Sequence, residues 1–96
     1  GRVTVDAGAA RVLRSQGVSL LSVGTIDVGG DFNRGDMVSC VDEQGHEVAR
    51  GLSNYAANEA SKLCGHETHE IERVLGYKGD EELVHRDNMV ITAPPH

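Results

Sequence analysis

The sequence predicts a small domain of mixed α/β class, mainly β, built as a β-barrel with short helices at its margins. The order of patterns is a strand, a helix, several strands, two short helices and a last strand, which differs from the alternation that builds a parallel βαβ sheet. A chain of 96 residues suffices for one modest core. Aromatic residues make up only 3%, and 12 glycines stand against 2 prolines, so we expect an aliphatic core and many tight turns.

The first strand and helix are predicted from "VTVDAGAARVLRSQG". Asp6 is a suitable N-cap because its carboxylate can accept hydrogen bonds from the free N–H groups of the first turn. Ala9, Val12 and Leu13 recur at helical spacing, and Gly17 can take the left-handed conformation that ends a helix. This segment therefore predicts a strand followed by a capped amphipathic helix.

The middle of the chain has the composition and spacing of strands. "VSLLSVGTIDV" is rich in β-formers, and "GGDFNRGD" supplies turn residues. "MVSCV" and "HEVAR" flank "DEQG", in which Gly45 can adopt a positive φ, so a hairpin with a short, bulged turn is expected. "ARGLSNY" continues as an extended, partly buried segment.

Helical spacing returns in "NYAANEASKLCG". Asn54 is the expected cap, Ala57, Ala60 and Cys64 are expected to line one face, and Gly65 is expected to end the helix. A second short helix follows in "THEIERVLG", with Ile71, Val74 and Leu75 on one side. "YKGDEE" then predicts a charged loop, and "LVHRDNMVI" predicts the last strand.

Charge and composition limit the classes of function. The chain carries 15 acidic and 9 basic side chains, a net charge of −6, whereas nucleic-acid-binding proteins usually have a basic surplus. No apolar run approaches the roughly 20 residues that span a bilayer, so we expect no membrane association. Cys40 and Cys64 are too few for a disulfide scaffold and favour a reduced, cytoplasmic protein.

Three short motifs suggest chemistry that their contexts do not support. In "HETHE", His66 and His69 are three residues apart, whereas the zinc motif HExxH needs histidines four apart on one helix face. Adding Cys64 gives no common zinc spacing, so we expect no metal site and a polar helix start capped by His and Thr68. "RGD" lies in a turn, and "HRD" at 85–87 lacks the other motifs of protein kinases. No catalytic pair of side chains is evident.

Seven segments in order carry a family resemblance. They are "VDAGA", "SLL-x-x-G", "F-x-RGD", "G-x-E-x-ARGLSNY", "LCGH", "EIERVLGY" and "VHRDNMVI". Together they resemble the C-terminal PUA domain of bacterial glutamate 5-kinase, from about Val5 to Ile91. The resemblance implies a pseudobarrel of about six strands with flanking short helices, and residues 1–96 as a single PUA-like domain of a larger kinase.

The resemblance also implies a division of labour. The family enzyme uses ATP and Mg²⁺ to phosphorylate the γ-carboxylate of L-glutamate in the first step of proline biosynthesis, with an active site in an N-terminal kinase domain. None of that domain's motifs is present here, so this chain is expected to hold no catalytic residue and no cofactor. Its expected partner is the kinase domain of its own chain, and the full-length enzyme can form a homo-oligomer.

An RNA-binding module is the alternative that the resemblance leaves open. PUA domains of RNA-modifying enzymes use the loop after the first helix and the last strand, which correspond here to "RSQGVSLL" and "VHRDNMV". The candidate RNA-binding residues are Arg14, Gly17, Ser19 and Arg86. Ser22 and Val23 stand where relatives carry a proline and a basic residue, and this weakens an RNA function. An accessory or regulatory role, RNA binding, and an independent enzyme or metal protein are thus the three hypotheses.

Overall fold

The computed structural model describes residues 1–93. Within them, the strands are β1 (Arg2–Val5), β2 (Thr25–Gly29), β3 (Met37–Val41), β4 (Glu47–Ser53) and β5 (Val84–Ile91). The helices are α1 (Ala7–Gln16), α2 (Ala57–Leu63) and α3 (Ile71–Leu75), with short 3-10 helices at Ser22–Gly24 and Thr68–Glu70. The predicted mixed fold, mainly β with short helices, is confirmed.

The five strands form one curled sheet in the order β2-β1-β3-β4-β5. β1 and β3 are parallel, and the other neighbours are antiparallel. Leu20 bridges to Val84 on the free side of β5, with Leu20 N 2.9 Å from Val84 O and Leu83 N 2.8 Å from Leu20 O. Since the chain runs from Leu20 through the short 3-10 helix at Ser22–Gly24 into β2, this bridge brings the two edges of the sheet towards each other. About six strands were expected, and the sixth is reduced to this single bridge because a 3-10 helix begins at Ser22.

α1 begins and ends where the sequence predicts. Asp6 Oδ1 accepts a hydrogen bond from Ala9 N at 2.7 Å, which satisfies one free donor of the first turn. Gly17 ends the helix with φ 59°, a left-handed conformation that costs glycine little. Of the predicted apolar face, Leu13 is buried, whereas Ala9 and Val12 are only partly buried; Ala10, which was not predicted, is buried as well.

The core is aliphatic, as the composition predicts. Its buried side chains are mainly Val and Leu from β1, β3, β4, β5, α1 and α2, together with Ile71 of α3, and Ala10, Ala49 and Ala60 fill narrow positions. Two aromatic side chains, Phe32 and Tyr55, are also buried, and the Tyr55 hydroxyl donates to the carbonyl of Asp80. A Cβ at Gly79 would lie 2.3 Å from the Tyr55 hydroxyl, so this buried ring requires glycine there.

The β3–β4 hairpin has the predicted bulge and turn. The register shifts between Cys40 and Val41, and Gly45 has φ 86°. Asp42 Oδ1 accepts hydrogen bonds from Gln44 N at 3.0 Å and His46 N at 2.9 Å. These backbone donors fix the turn around one carboxylate.

The predicted cap of α2 is wrong. The N-cap is Ala56, which makes no side-chain cap, and Asn54 Nδ2 donates instead to the carbonyl of Glu82 at 2.9 Å. Asn54 makes this long-range hydrogen bond because the neighbouring Tyr55 is buried and holds residues 54–55 against the loop before β5. Leu63 is fully buried on α2, whereas Cys64 is only partly buried.

The 3-10 helix at Thr68–Glu70 continues directly into α3. It starts at a capping box formed by Glu67 and Glu70, so the predicted capping by His and Thr68 is wrong. Glu70 Oε1 accepts from Glu67 N at 2.9 Å, while the Glu67 side chain accepts from the Glu70 backbone. Arg73 Nη2 lies 2.6 Å and His66 Nδ1 3.3 Å from Glu70 Oε2. The Glu67 backbone N–H, His66 and Arg73 together lower the pKa of Glu70 to about 2, from an ordinary 4.5. Glu70 therefore organises this helix start as an anion.

Glu70→Gln should weaken the acid sensitivity of the fold. Because the folded-state pKa lies below the unfolded value, the unfolded chain takes up the proton first, and stability falls as the pH drops from about 4.5 towards 2. Glutamine cannot titrate, so the variant should be less stable than the wild type at pH 6 but lose less stability between pH 6 and pH 3. Urea midpoints at the two pH values measure this.

Glu81→Gln is the control, since the Glu81 side chain is exposed and makes no hydrogen bond within residues 1–93. It should behave as the wild type does. An equal loss of stability on acidification in the wild type and in Glu70→Gln would contradict the role given to Glu70.

Candidate functional site

The loop after α1 and the start of β5, the two segments that the family resemblance implied, meet at the surface. Besides the Leu20–Val84 bridge, Ser19 Oγ accepts a hydrogen bond from Arg86 N at 2.9 Å. Gly17, Ser19 and Arg86 thus lie in two neighbouring segments, residues 17–20 and 84–88, which we call the bulge surface.

β5 makes a wide bulge at this surface. On β4, Gly51 pairs with Met89 and Ser53 pairs with Val84, so residues 85–88 on β5 face a single residue of β4. A Cβ on Gly51 would lie 2.5 Å from Val84 Cγ1 and 2.8 Å from Asn88 O. Only glycine therefore fits under the bulge. Bulges often redirect side chains beside functional sites, and nothing in the sequence pattern of "VHRDN" predicted this one.

The structure directs the Arg14 guanidinium away from the role predicted for it. Arg14 Nη2 lies 3.0 Å from Asp42 Oδ2 in the β3–β4 turn, so its charge is paired in a half-buried contact. The backbone N–H of His46, followed by that of Gln44 and by Arg14, holds the pKa of Asp42 below its ordinary value, although burial opposes this. Arg14 therefore joins α1 to the hairpin.

Arg86 remains the only arginine or lysine on the bulge surface. Its side chain is exposed and makes no ion pair with any other residue that the structure describes. The adjacent Asp87 carries the opposite charge, and it lies 3.6 Å from His85 Nδ1. With neutral histidine, the formal charge of the bulge surface is zero, which gives phosphate groups little long-range attraction.

The histidines of "HETHE" belong to the start of α3. His66 contacts Glu70, as described above, while His69 is exposed. Across residues 1–93, no group of three or more His, Cys, Asp or Glu side chains is arranged to hold a metal ion. Over the same range, no helix has the length and apolar character needed to cross a membrane.

A second feature, absent from the sequence analysis, is a groove between α1 and residues 18–24, which we call the α1 groove. Its volume is about 320 Å³. Most of the lining is apolar or glycine, namely Gly8, Ala9, Val12, Leu13, Val18, Leu20, Leu21, Val23 and Gly24. Asp6 and Ser19 supply the polar lining, and both already accept backbone hydrogen bonds. The run of twelve uncharged residues from Ser15 to Ile26 was the available signal in the sequence.

Comparison with curated proteins identifies close relatives. The chain is 56% identical over 92 residues to glutamate 5-kinase of Halorhodospira halophila, covering 96% of this chain and 24% of that protein. It is 53% identical over 90 residues to glutamate 5-kinase of Laribacter hongkongensis, covering 94% of this chain and again 24% of that protein. The chain therefore spans about a quarter of the length of the curated relatives that it matches.

Comparison with solved structures concerns the fold alone. A PUA domain from Aeropyrum pernix superposes with a TM-score of 0.64 at 23% identity, covering 88% of this chain and 41% of that one. A PUA domain protein from Thermoplasma acidophilum gives a TM-score of 0.59 at 21% identity, covering 98% of this chain and 48% of that one.

The family comparison matches the PUA domain over residues 1–75. Both parts of the resemblance predicted from the sequence, the PUA fold and the likeness to glutamate 5-kinase, are confirmed. This chain belongs to the PUA domain family.

Proposed function

We propose that this chain is the C-terminal accessory domain of a glutamate 5-kinase, that it is itself non-catalytic, and that it serves the enzyme through contacts with the rest of the polypeptide. The observation that carries the proposal is the identity of 53–56% across nearly the whole chain to relatives of which it spans only 24%. ATP, Mg²⁺ and glutamate would then bind the kinase portion. The domain's role would be regulation or assembly of that portion, including assembly of a homo-oligomer.

The ionisable groups of the domain support a non-catalytic role. Asp42, Glu47 and Glu70 all have a lowered pKa because hydrogen bonds stabilise their charged forms; for Glu47 the Ser39 hydroxyl contributes most. Such carboxylates are poor general acids near neutral pH. Burial raises the pKa of the Cys40 thiol to about 12, which removes it as a nucleophile.

Both cysteines are free thiols, Cys40 buried and Cys64 partly buried. Free thiols suit a reducing compartment, so we place the parent enzyme in the cytoplasm.

RNA binding is the second candidate, and the bulge surface is the observation that favours it. The Gly17 turn allows a close backbone approach, Ser19 has a hydroxyl, and Arg86 is exposed beside them. Two facts make it the weaker candidate. Arg14 is paired with Asp42, and the net charge of −6 opposes phosphate binding over the rest of the surface.

The 96-residue chain alone should not phosphorylate glutamate, whereas the polypeptide encoded by its complete reading frame should. Both would be assayed with Mg²⁺-ATP and L-glutamate, trapping the acyl phosphate as γ-glutamyl hydroxamate. A heat-inactivated sample of each protein is the control. Product formed by the isolated chain would contradict the non-catalytic role, and an inactive full-length polypeptide would contradict the parentage.

Structured RNA should not bind the domain measurably even at about 50 mM salt, where phosphate contacts are strongest. Fluorescence titration of labelled RNA would test this in the wild type and in Arg86→Glu. Lys62→Glu is the matched control, because it makes the same charge change at the exposed end of α2. Binding by the wild type that is lost in Arg86→Glu and kept in Lys62→Glu would favour the RNA function instead.

A further inference from the structure

We infer that the α1 groove is the docking site for an apolar segment of the remaining portion of the same polypeptide. This inference rests on the proposed function, because it assigns the domain's contact with the kinase portion to a particular surface. The groove is distinct from the bulge surface in its lining, although Ser19 and Leu20 belong to both.

Large apolar side chains are exposed at the α1 groove, which is concave. Leu21 and Val23 are 38% and 39% exposed and stand on the rim, while Val12 and Val18 are partly buried in the groove. About 320 Å³ is room for one or two aliphatic or aromatic side chains of a partner. Asp6 and Ser19, the two polar lining residues, each accept a backbone hydrogen bond that holds the side chain in place, so apolar surface makes up most of what an occupant meets.

The walls of the α1 groove are held in place by contacts within the domain itself. Asp6 N donates to Gly24 O at 2.9 Å, and Ser22 Oγ donates to His66 O at 2.7 Å. Gly24 packs so closely on α1 that a Cβ there would lie 2.8 Å from Ala9 Cβ. A rigid groove loses little conformational entropy on binding, which favours a stable contact.

The segment that forms the α1 groove carries few acidic side chains. Asp6 is the one acidic residue of the groove lining, and the following residues 7–26 contain two arginines and no acidic residue. A partner surface with its own carboxylates therefore meets a single carboxylate in the groove, and exposed Arg11 on α1 can pair with one of the partner's.

The size of the groove favours a covalently joined partner over a second copy. Stable interfaces between free proteins bury about 1,200–2,000 Å² in total, far more than one or two side chains can supply. A tethered segment needs much less, since the tether gives an effective concentration of the order of millimolar. About three quarters of each relative's length lies outside the matched region and can supply that segment.

Thiol labelling in the full-length polypeptide tests the inference with sites of matched exposure. Val23→Cys and Leu21→Cys probe the groove rim, and Leu52→Cys, at a side chain 37% exposed on the sheet, is the control. Maleimide labelling of each site is followed by peptide mass spectrometry and normalised to its rate in urea, so that Cys40 and Cys64 do not interfere. The groove sites should label at least about tenfold more slowly than Leu52→Cys, and cleavage of a protease site inserted before the domain should abolish the difference.

Equal labelling at the three sites, or protection that survives cleavage, would overturn the inference. Protection that disappears on dilution would assign the groove to a second copy, and protection that disappears on ribonuclease treatment would assign it to RNA; both would overturn it as well. Hydroxamate formation is measured on the same proteins. Groove protection without kinase activity would refute the proposed function alone, and kinase activity without protection would refute the inference alone.

Discussion

The backbone bridge between Leu20 and Val84 is the constraint on which the other features of this domain depend. It binds the segment that follows α1 to the free side of β5, so that the two edges of the sheet approach each other. Ser19 is thereby held beside Arg86, which completes the bulge surface. The residues that continue from Leu20 turn back over α1 and form the rim of the α1 groove. One pairing of extended backbone thus creates both candidate contact surfaces.

The two candidate surfaces differ in their distribution of charge. A nucleic-acid interface needs several cations free to meet phosphates, and the bulge surface offers Arg86 next to Asp87. Arg14, the other predicted cation, instead holds α1 against the β3–β4 hairpin. The α1 groove is mostly apolar, and the contact inferred there depends on the burial of apolar surface.

The features predicted correctly from the sequence are those that depend on interactions between residues close together in the chain. Asp6 caps α1, Gly17 ends it and Gly45 turns the hairpin because each depends only on nearby backbone groups. The errors lie where distant residues compete: Asn54 bonds to Glu82 across the fold instead of capping α2.

The candidate site was only partly predictable for the same reason. The two segments of the bulge surface were identified through the family resemblance, but the bulge depends on how closely Gly51 approaches Asn88, which no periodicity records. The α1 groove depends on the contact of Gly24 with Ala9, between elements that the sequence does not place in contact.

Hydrogen–deuterium exchange of the full-length polypeptide, with and without structured RNA, tests most directly the claim that this PUA domain contacts protein and not RNA. The account predicts that amides of residues 18–24 exchange more slowly in the full-length protein than in the released domain. It also predicts that added RNA leaves exchange at residues 17–20 and 84–88 unchanged. Slower exchange at those two segments on adding RNA, with no difference at residues 18–24 between the full-length and released forms, would contradict it.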